Sequence, residues 1–233
     1  MVTEIINYAQ YYENYTRSVV RYNCDTTRSD YEAQIWYELN RNTITLSMLG
    51  DLCKDKVVLD LGSAHWVEKT LLKQLGAKSI TKVDIAPTPD DGDTLKADAC
   101  DTKLLDNSYD VIICRELIEH LTNPDKLLSE MYRMLKEGGY LFIATPNAYS
   151  IPPDGINHLR GYTPQGFVET IERHFKIIDR RGNIPYVFST LLPAFENGLT
   201  FVLREFKDLA LRMETMTDSY YFGTNLFVLC VKK

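Results

Sequence analysis

The residues best suited to chemistry gather in one short stretch, Arg115-Glu116-Leu117-Ile118-Glu119-His120, and in one later loop around His158. If the first stretch is helical, Glu116, Glu119 and His120 stand at i, i+3 and i+4 and share a face. His158 follows a later strand, so its loop can reach the same rim. Two carboxylates and two imidazoles can bind a divalent metal such as magnesium and leave positions open for substrate oxygens. Without a metal, His120 or His158 can act as a general base with Glu119 nearby. The blander alternative is a packed, hydrogen-bonded histidine.

A second set of candidates closes three successive strand-like runs. Val57-Val58-Leu59-Asp60-Leu61 ends at Gly62, Ser79 to Val83 ends at Asp84, and Thr94 to Ala97 is followed by Asp98. In an open α/β sheet, ligands bind beyond the carboxyl ends of the strands, near the switch in strand order. Gly62 lets the backbone pass close to a ligand, and the next helix offers its N-terminal amides. Asp84, 22 residues after Gly62, is placed to accept hydrogen bonds from two ribose hydroxyls. Asp98 is placed to accept from an adenine amino group. Any one aspartate is more simply a cap or a loop residue, but three after successive strands are harder to dismiss. The turn lacks the G-x-G-x-x-G that NAD and FAD require, and no P-loop is present, so those cofactors and ATP chemistry are disfavoured.

These residues need a scaffold, and the chain supplies one from about Lys56 onward. Short apolar runs alternate with helical patterns, as in a parallel sheet covered by helices. A helix with Val67, Leu71, Leu72 and Leu75 on one side stops at Gly76. Pro87 to Asp93 is a loop by composition. Tyr109 to Cys114 is a buried strand, and Pro124 opens a helix that Gly138-Gly139 should close. Tyr140 to Thr145 is the next strand, a helix begins at Thr163-Pro164, and strands follow at Phe175 to Asp179 and Asn225 to Val231. The expected fold is a doubly wound α/β domain with a seven-stranded, mostly parallel, Rossmann-like sheet. Its expected division is a helical cap at 1–50, a cofactor-binding core at 51–185, a helical insertion at 186–222 and a final strand at 223–233.

The 233 residues suffice for one domain with a substantial core. Five scattered cysteines without a CxxC pair are expected as reduced thiols, mostly buried. No signal peptide or membrane-length apolar run is visible, so a soluble, cytoplasmic setting with no membrane partner is expected. A net charge of −6 argues against a partner bound mainly through phosphates, although a local basic face would still admit nucleic acid.

The chain resembles the class I S-adenosylmethionine (SAM)-dependent methyltransferases. The resemblance runs from about Val57 to Asp179, with the final strand matching as well. It is carried by VVLDLGS, KVDIAP and KADACDTKLLDNSYDVIICRELIEHLTNPDKLLSEMYRMLKEGGYLFIATPN. It implies that Asp60 and Gly62 lie against the methionine part of SAM, that Asp84 holds the ribose, and that Asp98 with Ala99 frames the adenine. Ser63, Ala64, Ile85 and Arg115 complete the expected cofactor contacts. The family's first motif runs D-x-G-x-G-x-G, whereas here Asp60-Leu61-Gly62-Ser63-Ala64-His65-Trp66 keeps only the first glycine. The favoured reading is an altered but working pocket, lined in part by His65 or Trp66; the alternative is a lost cofactor site.

The E-x-x-E-H pattern with a later histidine is similar to two branches of that family. One comprises ubiquinone-pathway O-methyltransferases, which act on catechol-type rings. The other comprises small-RNA 3′-terminal ribose 2′-O-methyltransferases, which place a metal on such residues. The resemblance therefore implies methyl transfer to an oxygen, or a nitrogen, of a small molecule such as a sugar or phenol. Metal-assisted RNA ribose methylation is the rival, and a non-catalytic SAM-binding or partner-binding module is a third reading. The tyrosine-rich N-terminal helices and a long helix from Glu196 to Met216 are expected to cap the site, to cover sheet edges, or to form a homodimer contact.

Overall fold

A computed structural model of the chain describes residues 41–42, 44–63, 72–73, 75–87, 93–150, 153, 155, 158–183 and 219–233. The expectations for the tyrosine-rich helices, for Val67 and Leu71, for Cys24 and for the Glu196–Met216 helix lie outside these residues.

Seven strands form one sheet: β1 (Val57–Leu61), β2 (Ser79–Asp84), β3 (Thr94–Lys96), β4 (Tyr109–Arg115), β5 (Leu135–Pro146), β6 (Phe175–Gly182) and β7 (Asn225–Lys232). Their order is β3-β2-β1-β4-β5-β7-β6. The first five run parallel, and only β7 is antiparallel to its neighbours β5 and β6. This is the expected seven-stranded, mostly parallel Rossmann-like sheet.

Strand alternation sorts the apolar runs onto two faces. Leu59, Leu61, Ile112, Cys114, Leu141 and Ile143 pack on one face with Leu127, Leu128 and Met131 of α1 (Pro124–Met134) and with Phe167 and Ile171 of α2 (Pro164–Glu172). Val58, Val111, Ile113, Phe142 and Ala144 pack on the other, with Leu72, Leu75 and the helical residues Ile44, Leu46, Met48 and Leu49. Central strands covered on both sides are apolar at most positions, which is why they read as near-continuous runs. The edge strand β6 is buried only at its two ends, with half-buried and exposed positions alternating between them.

Both helices start where the sequence places them. Asn123 accepts from the Lys126 N–H ahead of Pro124, and Thr163 Oγ1 accepts from the Gly166 N–H ahead of Pro164. The end of α1 differs from expectation. It stops at Met134, not at Gly138-Gly139, because Leu135 is already extended and paired with Tyr109 of β4. The two glycines lie inside β5, at a register shift opposite Tyr109 and Val111, and Gly138 has φ +68°. A Cβ on Gly139 would come within 3.0 Å of the Asp110 carbonyl oxygen.

Cys53, Cys114 and Cys230 are buried and reduced, and Cys100 is half-buried and reduced. Among the described residues, no helix is long and apolar enough to cross a membrane.

Candidate active site

The strand order reverses between β1 and β4: the chain leaves β1 for β2 and β3 on one side, and β4 for β5 on the other. The carboxyl ends of β1 to β5 share one edge of the sheet, and the start of β7 joins them through the Pro146–Asn225 pairing. Every described candidate residue lies along this edge.

At the end of β1, the N–H groups of Gly62 and Ser63 both donate to the Val83 carbonyl, at 2.8 and 3.1 Å. Gly62 has φ +80°, and a Cβ there would meet Leu117 Cδ2 at 3.0 Å. A glycine is therefore needed both for its backbone angle and for the close approach of the turn after β4. Ser63 Oγ is buried without a hydrogen-bond partner among the described residues, and Asp60 is buried one residue before the end of the strand. Ala64, His65 and Trp66, and with them the altered part of the motif, lie outside the described residues.

The β2–β3 pairing sets Asp84 opposite Lys96, two residues before Asp98. The Ala97 N–H donates to the Asp84 carbonyl at 3.0 Å, which holds the two strand ends together. Each aspartate uses Oδ1 to fix its own loop, Asp84 by accepting from Ala86 N–H and Asp98 from Cys100 N–H, both at 2.8 Å. Ile85 is 64% exposed beside Asp84, while Ala99 packs partly against the core.

The turn after β4 divides the E-x-x-E-H motif. Glu116 takes a left-handed φ of +51°, and only Ile118–His120 form a short 3-10 turn. The helical face shared by Glu116, Glu119 and His120 is therefore not formed. Glu116 turns away to accept from Asn225 Nδ2 at 3.0 and 3.1 Å and to pair with Arg41 at 3.3 Å. Arg115 points to the face covered by the 44–49 helix, donating to Asn42 Oδ1 at 2.6 Å.

Glu119, His120 and His158 do come together. One ligand-type atom from each lies within 4.8 Å of the other two, and Glu116 is outside this group. The imidazole centroids are 5.1 Å apart. His158 arrives because its loop is hooked under the turn: Arg160 donates from its backbone to the Glu119 carbonyl, and from its guanidinium to the carbonyls of Leu121 and Thr122.

Glu119 is 1% exposed. Its Oε2 accepts from Thr145 Oγ1 at 2.9 Å, and Oε1 lies 3.8 Å from His120 Nε2. Burial, followed by the nearby Glu116 charge, pushes the Glu119 carboxyl up to about 8. At neutral pH it keeps its proton unless a cation takes the proton's place.

Thr145, Arg160, Asn225 and Arg41 belong to no motif that the sequence presents. Thr145 and Asn225 had one usable signal, since each is a polar residue at the end of an apolar strand that reaches the functional edge.

A family model described as a methyltransferase domain matches residues 31–183, more than half of the chain. The ubiquinone biosynthesis O-methyltransferase of Vibrio atlanticus (strain LGP32) is 29% identical over 125 residues, covering 52% of this chain and 46% of the relative. The chain thus spans about half the length of that relative. The protein of the same name from Vibrio cholerae serotype O1 is 26% identical over 190 residues, covering 74% of this chain and 71% of the relative. Among solved structures, phosphoethanolamine N-methyltransferase 2 of Haemonchus contortus, in complex with S-adenosyl-L-methionine, superposes with a TM-score of 0.56 at 20% identity. That superposition covers 88% of this chain and 58% of the other, and at this identity it establishes the fold alone.

Proposed function

The chain belongs to the methyltransferase-domain family, and from that premise we propose that it transfers a methyl group from SAM to a small molecule. The acceptor atom is an oxygen, with nitrogen as the other candidate, and the acceptor class is a sugar or phenolic compound. The names of the two Vibrio relatives support an oxygen acceptor.

The residues at the ends of the first three strands fit SAM. Gly62 forms the tight turn after β1 with φ +80°, and the next residue's Ser63 Oγ is a buried polar atom without a protein partner among the described residues. Asp84 and Asp98 are carboxylates on adjacent strand ends, suited to ribose hydroxyls and to the adenine amino group. When bound, SAM supplies an electrophilic methyl group on a positive sulfur. The protein's task is to hold the acceptor in line, to exclude water and to take up the acceptor's proton.

The observation that carries the acceptor side is the meeting of Glu119, His120 and His158 within 4.8 Å at the same sheet edge. His120, 40% exposed in its side chain, faces solvent, while Glu119 is sealed beneath it. An imidazole here can hydrogen-bond the acceptor hydroxyl and accept its proton, with the Glu119 carboxyl 3.8 Å from the His120 ring nitrogen. The 1–50 and 186–222 segments would select the acceptor.

The donor set also favours a second reading. A buried carboxylate and two imidazoles suit a divalent cation, and Glu119 Oε1 is buried without a hydrogen bond among the described residues. These three residues, without Glu116, would hold it, and the metal would lower the pKa of a bound acceptor hydroxyl.

Methyl transfer from SAM to a panel of phenols and sugars, with and without magnesium, tests both readings. His120→Ala and His158→Ala should each lower turnover by about 10²-fold while leaving SAM binding intact. Asp84→Ala should abolish that binding in a folded protein. Unchanged turnover in both histidine variants would remove the catalytic assignment. Activity indifferent to chelators and to added magnesium would remove the metal.

A further inference from the structure

The connection from Ala97 to Ser108 contains no helix or strand, yet it carries Asp98 and Ala99. It is strapped to α1 through one carboxylate. Glu130 Oε1 accepts from both the N–H and the hydroxyl of Thr102, at 2.9 and 2.7 Å. Arg133 grips the same carboxylate, with Nε at 2.9 Å from Oε2 and Nη2 at 2.7 Å from Oε1.

Arg133 then reaches onward to the loop itself. Its Nη1 donates to the Leu104 carbonyl at 2.7 Å and pairs with Asp106. The Asn107 and Ser108 N–H groups donate to the Arg133 and Met134 carbonyls at 2.9 and 2.8 Å. On the other side of Thr102, the loop closes on Asp98: Cys100 N–H donates to its Oδ1 at 2.8 Å, and Asp101 N–H to its carbonyl at 2.9 Å. Thr102 is buried, and its Oγ1 also accepts from Leu104 N–H at 3.2 Å. Thr102, held to α1, directly follows Asp101 in the chain, so the bonded turn at Asp98 is tethered to α1 across a single peptide link.

We propose that Glu130, backed by Arg133, is a positioning residue for adenosine recognition, fixing through Thr102 the backbone that presents Asp98 and Ala99. The inference rests on the reading of Asp98 and Ala99 as adenine contacts. An unstrapped connection of this length would have to be ordered on binding, and that ordering would subtract from affinity. Glu130 and Arg133 hold it ordered beforehand.

The test measures the dissociation constants of S-adenosylhomocysteine and of 5′-methylthioadenosine, which keeps the adenosine but lacks the amino-acid part. Thr102→Val removes the hydroxyl at nearly constant shape, and Thr102→Ser restores it. Thr102→Val and Glu130→Gln should weaken both ligands by the same factor, about tenfold for a lost buried hydrogen bond. Thr102→Ser should bind as the wild type does. The KM for SAM should rise with kcat unchanged. If Thr102→Val does not fold, Arg133→Gln carries the same expectation from the outer side of the strap. Wild-type affinity in the folded variants would overturn the proposal alone. Failure of the wild-type protein to bind either ligand would overturn the cofactor reading and the proposal with it.

Discussion

Thr145, the penultimate residue of β5, donates its hydroxyl to Oε2 of Glu119 at 2.9 Å, and both residues are almost fully buried. One oxygen of the carboxyl group is thereby fixed to the sheet, and the other is left toward His120. The pair ties the turn after β4 to the end of β5.

Thr145→Val keeps the shape of the side chain but leaves Glu119 Oε2 buried without a donor. A loss of about 1–3 kcal/mol is expected. Calorimetry should record a melting temperature lower by several degrees. Turnover should fall about tenfold more than SAM binding does, because the displaced group is on the acceptor side. Thr145→Ser should recover most of both; a Val variant with wild-type turnover would show that Glu119 does not need this hydrogen bond.

The clasp between Glu116 and Asn225 makes a separate prediction. Asn225→Asp places a second carboxylate against the first and removes the donor, and should destabilise by about 1–3 kcal/mol. Glu116→Gln in the same chain restores a donor–acceptor pair and should recover at least half of the loss. A double-mutant cycle in urea measures the coupling, and strictly additive effects would contradict the clasp.

Gly62→Ala forces a Cβ toward Leu117 Cδ2 at 3.0 Å and an L-residue to φ +80°. About 1–3 kcal/mol should be lost, read as a lower denaturant midpoint at constant m-value. Leu117→Ala in the same chain relieves the contact but not the backbone angle, so recovery should be partial. Full recovery would mean that the angle carries no cost.

The Glu130 carboxyl is held down to about 2 from an ordinary 4.5, first by its hydrogen bonds to Arg133 and then by those from Thr102. A group whose folded value is depressed adds stability above its unfolded value and loses it as pH falls toward the folded one. The contribution, about 2 kcal/mol after allowance for solvent screening, should therefore disappear between about pH 4.5 and pH 2. Urea midpoints across that range should fall more steeply for the wild-type protein than for Glu130→Gln. Parallel slopes would argue against the Arg133–Glu130 pairing.

The sequence by itself determined the sheet. Strands covered on both faces are largely apolar, and β1, β4, β5 and β7 stand out as such runs. It also placed Gly62, Asp84 and Asp98, because a residue that ends a strand is a local fact and the carboxyl ends of parallel strands share one edge. The end of α1 was less legible: Gly138-Gly139 looked like a stop, but the pairing of Leu135 with Tyr109 had already drawn the chain into the sheet.

The candidate acceptor site was decided by tertiary structure. Helical spacing alone put Glu116, Glu119 and His120 on one face, and the left-handed backbone at Glu116 separated them. Glu116 then went to Asn225, 109 residues away, and Glu119 to Thr145, 26 residues away. His158 came to His120 only because Arg160 hooks onto the carbonyls of the turn. Local periodicity specifies which way a side chain points from its own helix or strand. A buried polar group takes whichever complementary group the packed sheet brings within hydrogen-bond reach, and that choice exists only once the strands are in register.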